Sequence, residues 1–229
     1  MHLIQNVRRA LAKLRYREFY RIYRQFSNFT MISSSAYVQN LMLCKEVASV
    51  RGAIVECGTW KGGMIAGIAQ LLGDERDYFL FDSFTGLPPA APIDGTAARK
   101  WQQDTKSAFY YDNCTASEED AFAAMTLAGV PSATIVKGWF EDTLPIAEFP
   151  SGISILRMDA DWYDSTMQIL DALFPAVVAG GRILIDDYYT WDGCSKAVHD
   201  YLSKHKRPER INSRGGVCFI EKRAVDADA

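Results

Sequence analysis

Short apolar runs recur along the chain and are separated by longer segments with mixed apolar and polar positions. Runs of β-branched and aromatic residues that end in glycine or acidic residues are typical of buried strands. The predicted strands are Ala53–Cys57, Tyr78–Phe81, Ala133–Val136, Ile153–Met158, Ile183–Ile185, Arg210–Asn212 and Val217–Ile220. The segments between them predict helices at Ser33–Val50, Thr59–Leu72, Ser117–Leu127, Ser165–Val178 and Trp191–Lys204.

The order of these elements predicts the fold. Strands that alternate with helices form right-handed βαβ units and therefore a mostly parallel sheet. Residues 213–216 join the last two strands as a hairpin. We predict an α/β fold over residues 31–223, with a Rossmann-like, doubly wound, mostly parallel seven-stranded sheet. Helices cover both faces, and a C-terminal hairpin adds an antiparallel strand.

The first 30 residues do not follow this alternation. Basic residues are interleaved with aromatic ones, and apolar residues recur at roughly helical spacing. This pattern predicts a basic amphipathic helical arm. Such a helix can lie on an anionic membrane or bind nucleic acid, but it more often packs on its own domain or on a second subunit.

A second departure is the stretch from about 84 to 116, which is rich in proline and glycine and predicts a long irregular loop. It carries Trp101, Phe109, Tyr110 and Tyr111. Long loops of this kind are usually lids or binding loops. We therefore predict a lid with enough aromatic surface to cover a ligand. The alternative is a surface excursion whose aromatic residues simply pack down.

Composition places the chain among ordinary globular proteins. It has 229 residues, of which 48% are hydrophobic and 23% are charged, with a formal net charge of −3. This charge gives no reason to expect nucleic acid as a partner, and no apolar run is long enough to span a membrane. The five cysteines show no Cys-x-x-Cys spacing, which argues against a zinc site or a disulfide framework. We expect a cytoplasmic protein with reduced cysteines.

Two predicted strands end in acidic residues. Gly180 and Gly181 are expected to turn the chain before Ile183–Ile185, which runs directly into Asp186 and Asp187. The strand Ile153–Met158 likewise runs into Asp159. Ligands collect at the carboxyl ends of parallel strands, so these three carboxylates can meet there, and they would repel one another without a cation. A single acid at such a position is often a turn or helix-cap residue, but the doubled acid favours a shared site.

The turn after the first strand carries glycines at Gly58, Gly62 and Gly63. Their Gly-x-x-x-Gly-Gly spacing is neither the Gly-x-Gly-x-x-Gly of dinucleotide binders nor a P-loop. Asp82 ends the second strand, where an acid suits the hydroxyls of a ribose, and Glu56 suits a cationic or amine-bearing ligand. Together they indicate an adenosine-type ligand without phosphates, and S-adenosylmethionine fits that description.

Several motifs together resemble the macrocin O-methyltransferase family, whose members include sugar O-methyltransferases. They cover residues 31–221 in the family's order. The matching stretches are Val55–Gly63, Phe81–Pro88, Lys137–Pro145, Leu156–Thr166 and Gly180–Tyr188, followed by Gly193-Cys194 and Ala197-Val198. Ala160 departs from the family's usual glycine and Asp164 from its frequent glutamate. The lid and the basic arm match poorly.

The resemblance implies a class I S-adenosylmethionine-dependent methyltransferase that uses magnesium to methylate a hydroxyl of a sugar-bearing acceptor. It implies that Asp159, Asp186 and Asp187 bind the metal. The residues expected at the cofactor are Glu56, Gly58, Thr59, Gly62, Asp82, Ser83, Gly138, Phe140 and Asp159. We assign the role of catalytic base to Asp159, because a sugar hydroxyl must lose its proton during transfer.

The expected partner is a small glycoside or sugar, and the resemblance suggests a homo-oligomer. Three other functions remain open from the sequence. One is a metal-independent methyltransferase that acts on a phenol, and another is a nicotinamide-dependent oxidoreductase, which the glycine spacing disfavours. The third is a binding protein that has lost its chemistry, although unused acids at one site would repel one another without benefit.

Overall fold

A single seven-stranded sheet forms the centre of the computed structural model, which describes residues 16–224. The strands are β1 (Ala53–Cys57), β2 (Tyr78–Asp82), β3 (Thr134–Lys137), β4 (Ile153–Met158), β5 (Val177–Ile185), β6 (Ile211–Arg214) and β7 (Val217–Glu221). Their order across the sheet is β3-β2-β1-β4-β5-β7-β6. Strands β1 to β5 run parallel, and β7 lies antiparallel between β5 and β6. The predicted fold is confirmed.

Helices pack on both faces of the sheet. They are α1 (16–26 within the described residues), α2 (Ser34–Glu46), α3 (Gly63–Leu72), α4 (Gly95–Gln103), α5 (Glu118–Leu127), α6 (Phe140–Thr143), α7 (Tyr163–Leu173) and α8 (Asp192–Lys204). Successive side chains of a strand point to opposite faces. Ile54 accordingly belongs to the apolar core under α2 and α3, and Val55 belongs to the core under α7 and α8. Among the described helices, none has the length and apolar composition that crossing a bilayer requires.

The described part of the predicted basic arm packs on the chain's own domain. Phe19, Ile22 and Phe26 of α1 are buried in the same core as α2 and α3. The rings of Tyr23 and Tyr37 meet edge to face, with their centroids 5.3 Å apart. These contacts favour the packing role over the membrane and nucleic-acid roles for residues 16–26. Residues 1–15 of the predicted arm lie outside the described residues.

Strand β5 begins earlier than the sequence indicated. The helix predicted to reach Val178 ends at Leu173, and the chain then makes a short 3-10 turn and enters the strand at Val177. Gly180 and Gly181 lie within β5, where Gly180 has φ +78° and the pairing with β4 shifts register between Val177 and Arg182. Their backbone is held by Lys222, because Gly180 N–H donates to Lys222 O and Lys222 N–H donates to Gly181 O, each at 2.9 Å. The change of direction expected at the glycines is therefore present as a bulge within the strand and not as a separate turn before it.

The stretch predicted as irregular between 84 and 116 contains regular structure. It holds a 3-10 turn at Pro92–Asp94, the helix α4, and a left-handed turn at Tyr111–Cys114 in which all four residues have positive φ. We call residues 84–116 the lid segment. Asp94 attaches it to the domain, since its buried carboxylate accepts hydrogen bonds from Tyr163 N–H at the start of α7 and from Ala91 N–H, both at 2.7 Å.

Candidate active site

A cavity of about 330 Å³ opens at the carboxyl ends of β1, β2 and β4. Of the residues predicted at the cofactor, Gly58, Asp82, Ser83, Gly138, Phe140 and Asp159 line it. Glu56, Thr59 and Gly62 are buried and do not line the cavity. The lid segment closes one side through Pro88, Pro89 and Ala91. The cavity therefore lies where the sequence expected a ligand.

The turn after β1 brings the backbone against β4. Gly58 has φ +81°, and a Cβ there would overlap the carbonyl of Asp159. Asp159 N–H in turn donates to Cys57 O at 2.9 Å. Only glycine fits this position, and its close approach holds Asp159 at the cavity wall.

Asp82 lies at the end of β2 with both carboxylate oxygens engaged. Trp60 N–H donates to Oδ2 and Phe84 N–H donates to Oδ1, each at 2.7 Å. Burial raises the pKa of this carboxyl, while the backbone N–H groups act in the opposite direction. The two bonds fix the orientation of the carboxylate and leave lone pairs for hydroxyl donors. Its predicted role at a ribose remains a prediction that this geometry suits.

A buried arginine gathers three carboxylates at the same edge. Arg157 is 1% exposed, and its guanidinium lies 2.8 Å from Glu56 Oε1, 2.9 Å from Asp159 Oδ2 and 2.7 Å from Asp186 Oδ1. We call these four residues the arginine group. Burial raises the pKa of Glu56 to about 8 and that of Asp186 to about 6, although Arg157 opposes both shifts. The carboxylate of Asp186, which was predicted as a metal ligand, thus forms an ion pair with the guanidinium of Arg157.

A second set of carboxylates lies next to the first. One oxygen each from Asp159, Asp161 and Asp187 falls within 4.8 Å of the others, and we call these residues the acid triad. Asp161 reaches the set through a left-handed backbone, φ +57°, and its N–H donates to Asp187 Oδ2 at 3.0 Å. Burial, followed by repulsion from Asp159, raises the pKa of Asp161 to about 8. Burial also raises the pKa of Asp187, and Asp161 adds to that shift.

The acid triad suits a divalent cation. Its donors are all carboxylate oxygens, the ligands that Mg²⁺ prefers, and they lie close enough to repel when ionised. The sequence predicted Asp159 and Asp187 for this role but not Asp161. The run Asp159-Ala160-Asp161 was visible, but strand alternation gives no signal for an acid that lies past the strand end.

The chain's relationship to known proteins follows from one finding. The profile of the family described as Macrocin-O-methyltransferase (TylF) matches residues 23–220. The chain belongs to this family. Membership confirms the resemblance that the sequence motifs indicated, and it shows that the cavity belongs to a methyltransferase fold.

Two relatives in the macrocin O-methyltransferase family illustrate the match. Demethyldecarbamoylnovobiocin O-methyltransferase of Streptomyces niveus is 35% identical over 180 residues, which are 73% of this chain and 65% of that protein. The chain thus spans slightly less than two thirds of that relative. Mycinamicin III 3''-O-methyltransferase of Micromonospora griseorubida is 32% identical over 182 residues, 76% of this chain and 70% of that protein.

The solved structure of the O-methyltransferase NovP matches the chain with a TM-score of 0.72 at 27% identity. The match covers 86% of this chain and 83% of NovP. The fold that surrounds the cavity is thus that of a solved O-methyltransferase.

Three tryptophans connect the lid segment of this macrocin O-methyltransferase family member to the acid triad. The rings of Trp101, Trp162 and Trp191 meet edge to face, with centroids 5.4 to 6.2 Å apart. Trp101 lies on α4, Trp162 follows β4 and Trp191 precedes α8. Trp162 Nε1 donates to Pro88 O at 2.9 Å, so the cluster also fixes the start of the lid segment. The lid aromatics therefore pack partly on the domain, as the alternative interpretation expected.

Proposed function

We propose that the chain transfers the methyl group of S-adenosylmethionine to a sugar hydroxyl of a glycosylated natural product, with magnesium at the acid triad. The observation that carries this proposal is one cavity that joins the ribose-type acid Asp82 to the carboxylates Asp159 and Asp161. The two relatives described above are named as O-methyltransferases of demethyldecarbamoylnovobiocin and of mycinamicin III. The family assignment favours this reaction over nicotinamide-dependent chemistry.

In this proposal the cavity wall orients the two substrates. Asp82 accepts hydrogen bonds from the ribose hydroxyls of the cofactor, while Gly138 and Phe140, which follow the neighbouring strand β3, contact it beside Asp82. The lid segment and Trp162 cover the cavity and exclude water. Exclusion of water and correct placement matter because methyl transfer is an in-line displacement at a sulfonium.

Asp159 is proposed as the base that accepts the hydroxyl proton. Arg157 donates a hydrogen bond to its Oδ2, which leaves Oδ1 to accept the proton. The geometry supports Asp159, Asp161 and Asp187 as the residues that would hold magnesium, and Asp186 is the further ligand that the sequence predicted. When bound, magnesium supplies a positive charge that lowers the pKa of a nearby hydroxyl.

Calorimetric titration tests the cofactor. The purified chain is titrated with S-adenosylmethionine and, separately, with NAD, each with and without Mg²⁺. We expect S-adenosylmethionine to bind and NAD not to bind, and we expect Asp82→Asn to weaken binding of the former. Binding of NAD alone would refute the proposal.

The reaction is tested by methyl transfer to glycosides with matched phenols as comparison acceptors. Transfer should require Mg²⁺ and should stop in EDTA. EDTA-insensitive transfer to a phenol would instead support the metal-independent alternative. Asp159→Asn should lower the rate by about 100-fold or more if Asp159 is the base. The predicted homo-oligomer is tested separately, by the mass of the chain in solution.

A further inference from the structure

Trp60 has a backbone conformation that is unfavourable for its side chain. It is the second residue of the turn Thr59–Gly62, which Gly62 N–H closes by donating to Thr59 O at 2.9 Å, and its φ is +50°. Residues with a Cβ are disfavoured in this left-handed region, and glycine is the usual residue there. A bulky tryptophan at this position therefore needs contacts that compensate for the strained backbone.

The indole ring of Trp60 makes such contacts with the end of the lid segment. Its Nε1 donates to Thr115 O at 3.0 Å. The ring also meets the ring of Tyr111 edge to face, with centroids 6.3 Å apart and an angle of 70° between the planes. Trp60 is partly buried and lines the cavity. Its side chain thus connects the turn after β1 to residues 111–115 of the lid segment.

The backbone of the same residue contacts the acid predicted at the cofactor. Trp60 N–H donates to Asp82 Oδ2 at 2.7 Å, in a direction that the conformation of the turn determines. The other oxygen, Oδ1, accepts a hydrogen bond from Phe84 N–H at the start of the lid segment. Both ends of the lid segment therefore act on the carboxylate of Asp82, Phe84 directly and Thr115 through Trp60.

We propose that Trp60 is a positioning residue that couples the cofactor site at Asp82 to the end of the lid segment. A cofactor bound at Asp82 holds the turn Thr59–Gly62 in its left-handed form, and the turn in that form presents Nε1 of Trp60 to Thr115 O. This inference rests on the cofactor assignment in the proposed function. None of the roles assigned from the sequence involves Trp60.

Coupling of this kind acts in both directions. If the cofactor stabilises the contact with the lid segment, loss of that contact must weaken cofactor binding by the same factor, because the two events share one thermodynamic cycle. A hydrogen bond between uncharged groups corresponds to a factor of about three to ten. One substitution should therefore produce two effects of equal size.

Hydrogen exchange and calorimetry of the full chain with S-adenosylhomocysteine test the coupling. Trp60→Phe keeps the backbone N–H and an aromatic ring and removes the Nε1 donor. In the unmodified chain we expect S-adenosylhomocysteine to slow amide exchange in residues 111–116 by about three- to tenfold. In Trp60→Phe this slowing should disappear, and the affinity for S-adenosylhomocysteine should fall by the same factor.

Trp101→Phe is the matched control. It also removes a hydrogen bond of 3.0 Å from an indole Nε1 to a carbonyl of the lid segment, Phe109 O, but this bond does not involve the turn after β1. The slowing of exchange and the affinity for S-adenosylhomocysteine should both stay within twofold of the unmodified chain. Equal losses in both tryptophan variants would assign the effect to a general loosening of the lid segment and would refute the coupling.

The outcomes separate this inference from the proposed function. Unchanged slowing and affinity in Trp60→Phe would refute the coupling and leave the cofactor assignment intact. The same conclusion follows if S-adenosylhomocysteine binds the unmodified chain without slowing exchange in residues 111–116. If S-adenosylhomocysteine does not bind the unmodified chain, the cofactor assignment and this inference fail together.

A second variant covers the case in which Trp60→Phe does not fold. Trp60→Gly removes the bond to Thr115, while glycine adopts φ +50° without strain and keeps the N–H that donates to Asp82. We expect S-adenosylhomocysteine not to slow exchange in residues 111–116 of this variant, with thermal unfolding showing that the fold is retained. Slowing equal to that of the unmodified chain would overturn the inference.

Discussion

The arginine group and the acid triad lie side by side and share Asp159, but they balance charge differently. In the first, one buried guanidinium lies within ion-pair distance of three carboxylates. In the second, three carboxylates converge, and although Asp159 keeps its ion pair with Arg157, the hydrogen bonds to Asp161 and Asp187 come from the neutral donors Trp191 Nε1 and Asp161 N–H. Asp186 and Asp187 are adjacent in sequence and fall on opposite sides of this division. The two adjacent aspartates thus differ in their nearest partner, which is a buried guanidinium for Asp186 and a backbone N–H for Asp187.

The largest expected effect comes from removal of the cation of the arginine group. Arg157→Met leaves the buried carboxylate of Glu56 and the partly buried carboxylate of Asp186 without a counter-charge. Loss of one partner of a buried ion pair costs about 3–5 kcal/mol of unfolding free energy. Chemical denaturation measures this loss.

Arg182→Met is the matched control for Arg157→Met. Arg182 is also buried, but its partners Glu46 and Glu221 are half-exposed, so its loss should cost less. An equal loss of unfolding free energy in the two variants would mean that the arginine group stabilises the fold no more than the ion pairs of Arg182 do.

Substitution of the two adjacent aspartates should change the unfolding free energy by smaller amounts and in opposite directions. Asp186→Asn weakens an ion pair and should lower the unfolding free energy by about 1–3 kcal/mol. Asp187→Asn removes a charge from a repelling set and should raise the unfolding free energy by about 1 kcal/mol in EDTA. Denaturation of both variants in EDTA measures the difference, and a change of the same sign in both would contradict the comparison.

Metal binding should also distinguish Asp186 from Asp187. Asp187→Asn should lose Mn²⁺ binding because it removes a proposed ligand, although it stabilises the fold. Asp186→Asn should retain more of the binding, since Arg157 already engages that carboxylate. Mn²⁺ titration of both variants measures this. Equal loss would place Asp186 among the ligands, as the sequence predicted.

The smallest expected effect is a pH dependence of stability in EDTA. Asp161 has a folded-state pKa of about 8, above its ordinary value near 4, so the folded chain holds a proton that the unfolded chain releases. Its contribution to stability is complete below pH ~4 and is lost as pH rises through ~8.

Denaturation between pH 5 and 9 measures this slope for the unmodified chain and for Asp161→Asn. The unmodified chain should lose stability as pH rises, and Asp161→Asn should lose less. Glu56 titrates in the same range and remains in both chains, so the difference between them reports Asp161 together with the part of the Asp187 pKa shift that Asp161 causes. Identical slopes would contradict the raised pKa of Asp161.

The sequence predicted the sheet and the edge at which the site lies because those depend on local patterns. β1 and β4 match their predicted bounds, and the acids Asp82, Asp159 and Asp187 follow their strands as expected. Apolar runs and βαβ alternation determine strand order, and strand order determines which edge collects ligands.

Arg157 and Asp161 were missed for different reasons. Arg157 lies within an apolar strand, and a charged residue in a buried run does signal carboxylate partners, although not which ones. Asp161 reaches the acid triad only through a left-handed backbone, which no periodicity reveals. The helix α4 was missed because the surrounding prolines and glycines dominate the local pattern.

The position of β7 affects the chain while it is being synthesised. The double aspartate follows β5, and the side of β5 away from β4 pairs with residues 218–221 of β7. Until those residues leave the ribosome, Ile183 and Ile185 border an unpaired apolar edge in the nascent protein. Such an edge can pair with other chains, so the site cannot be completed before the hairpin emerges and chaperones have an interval in which to act.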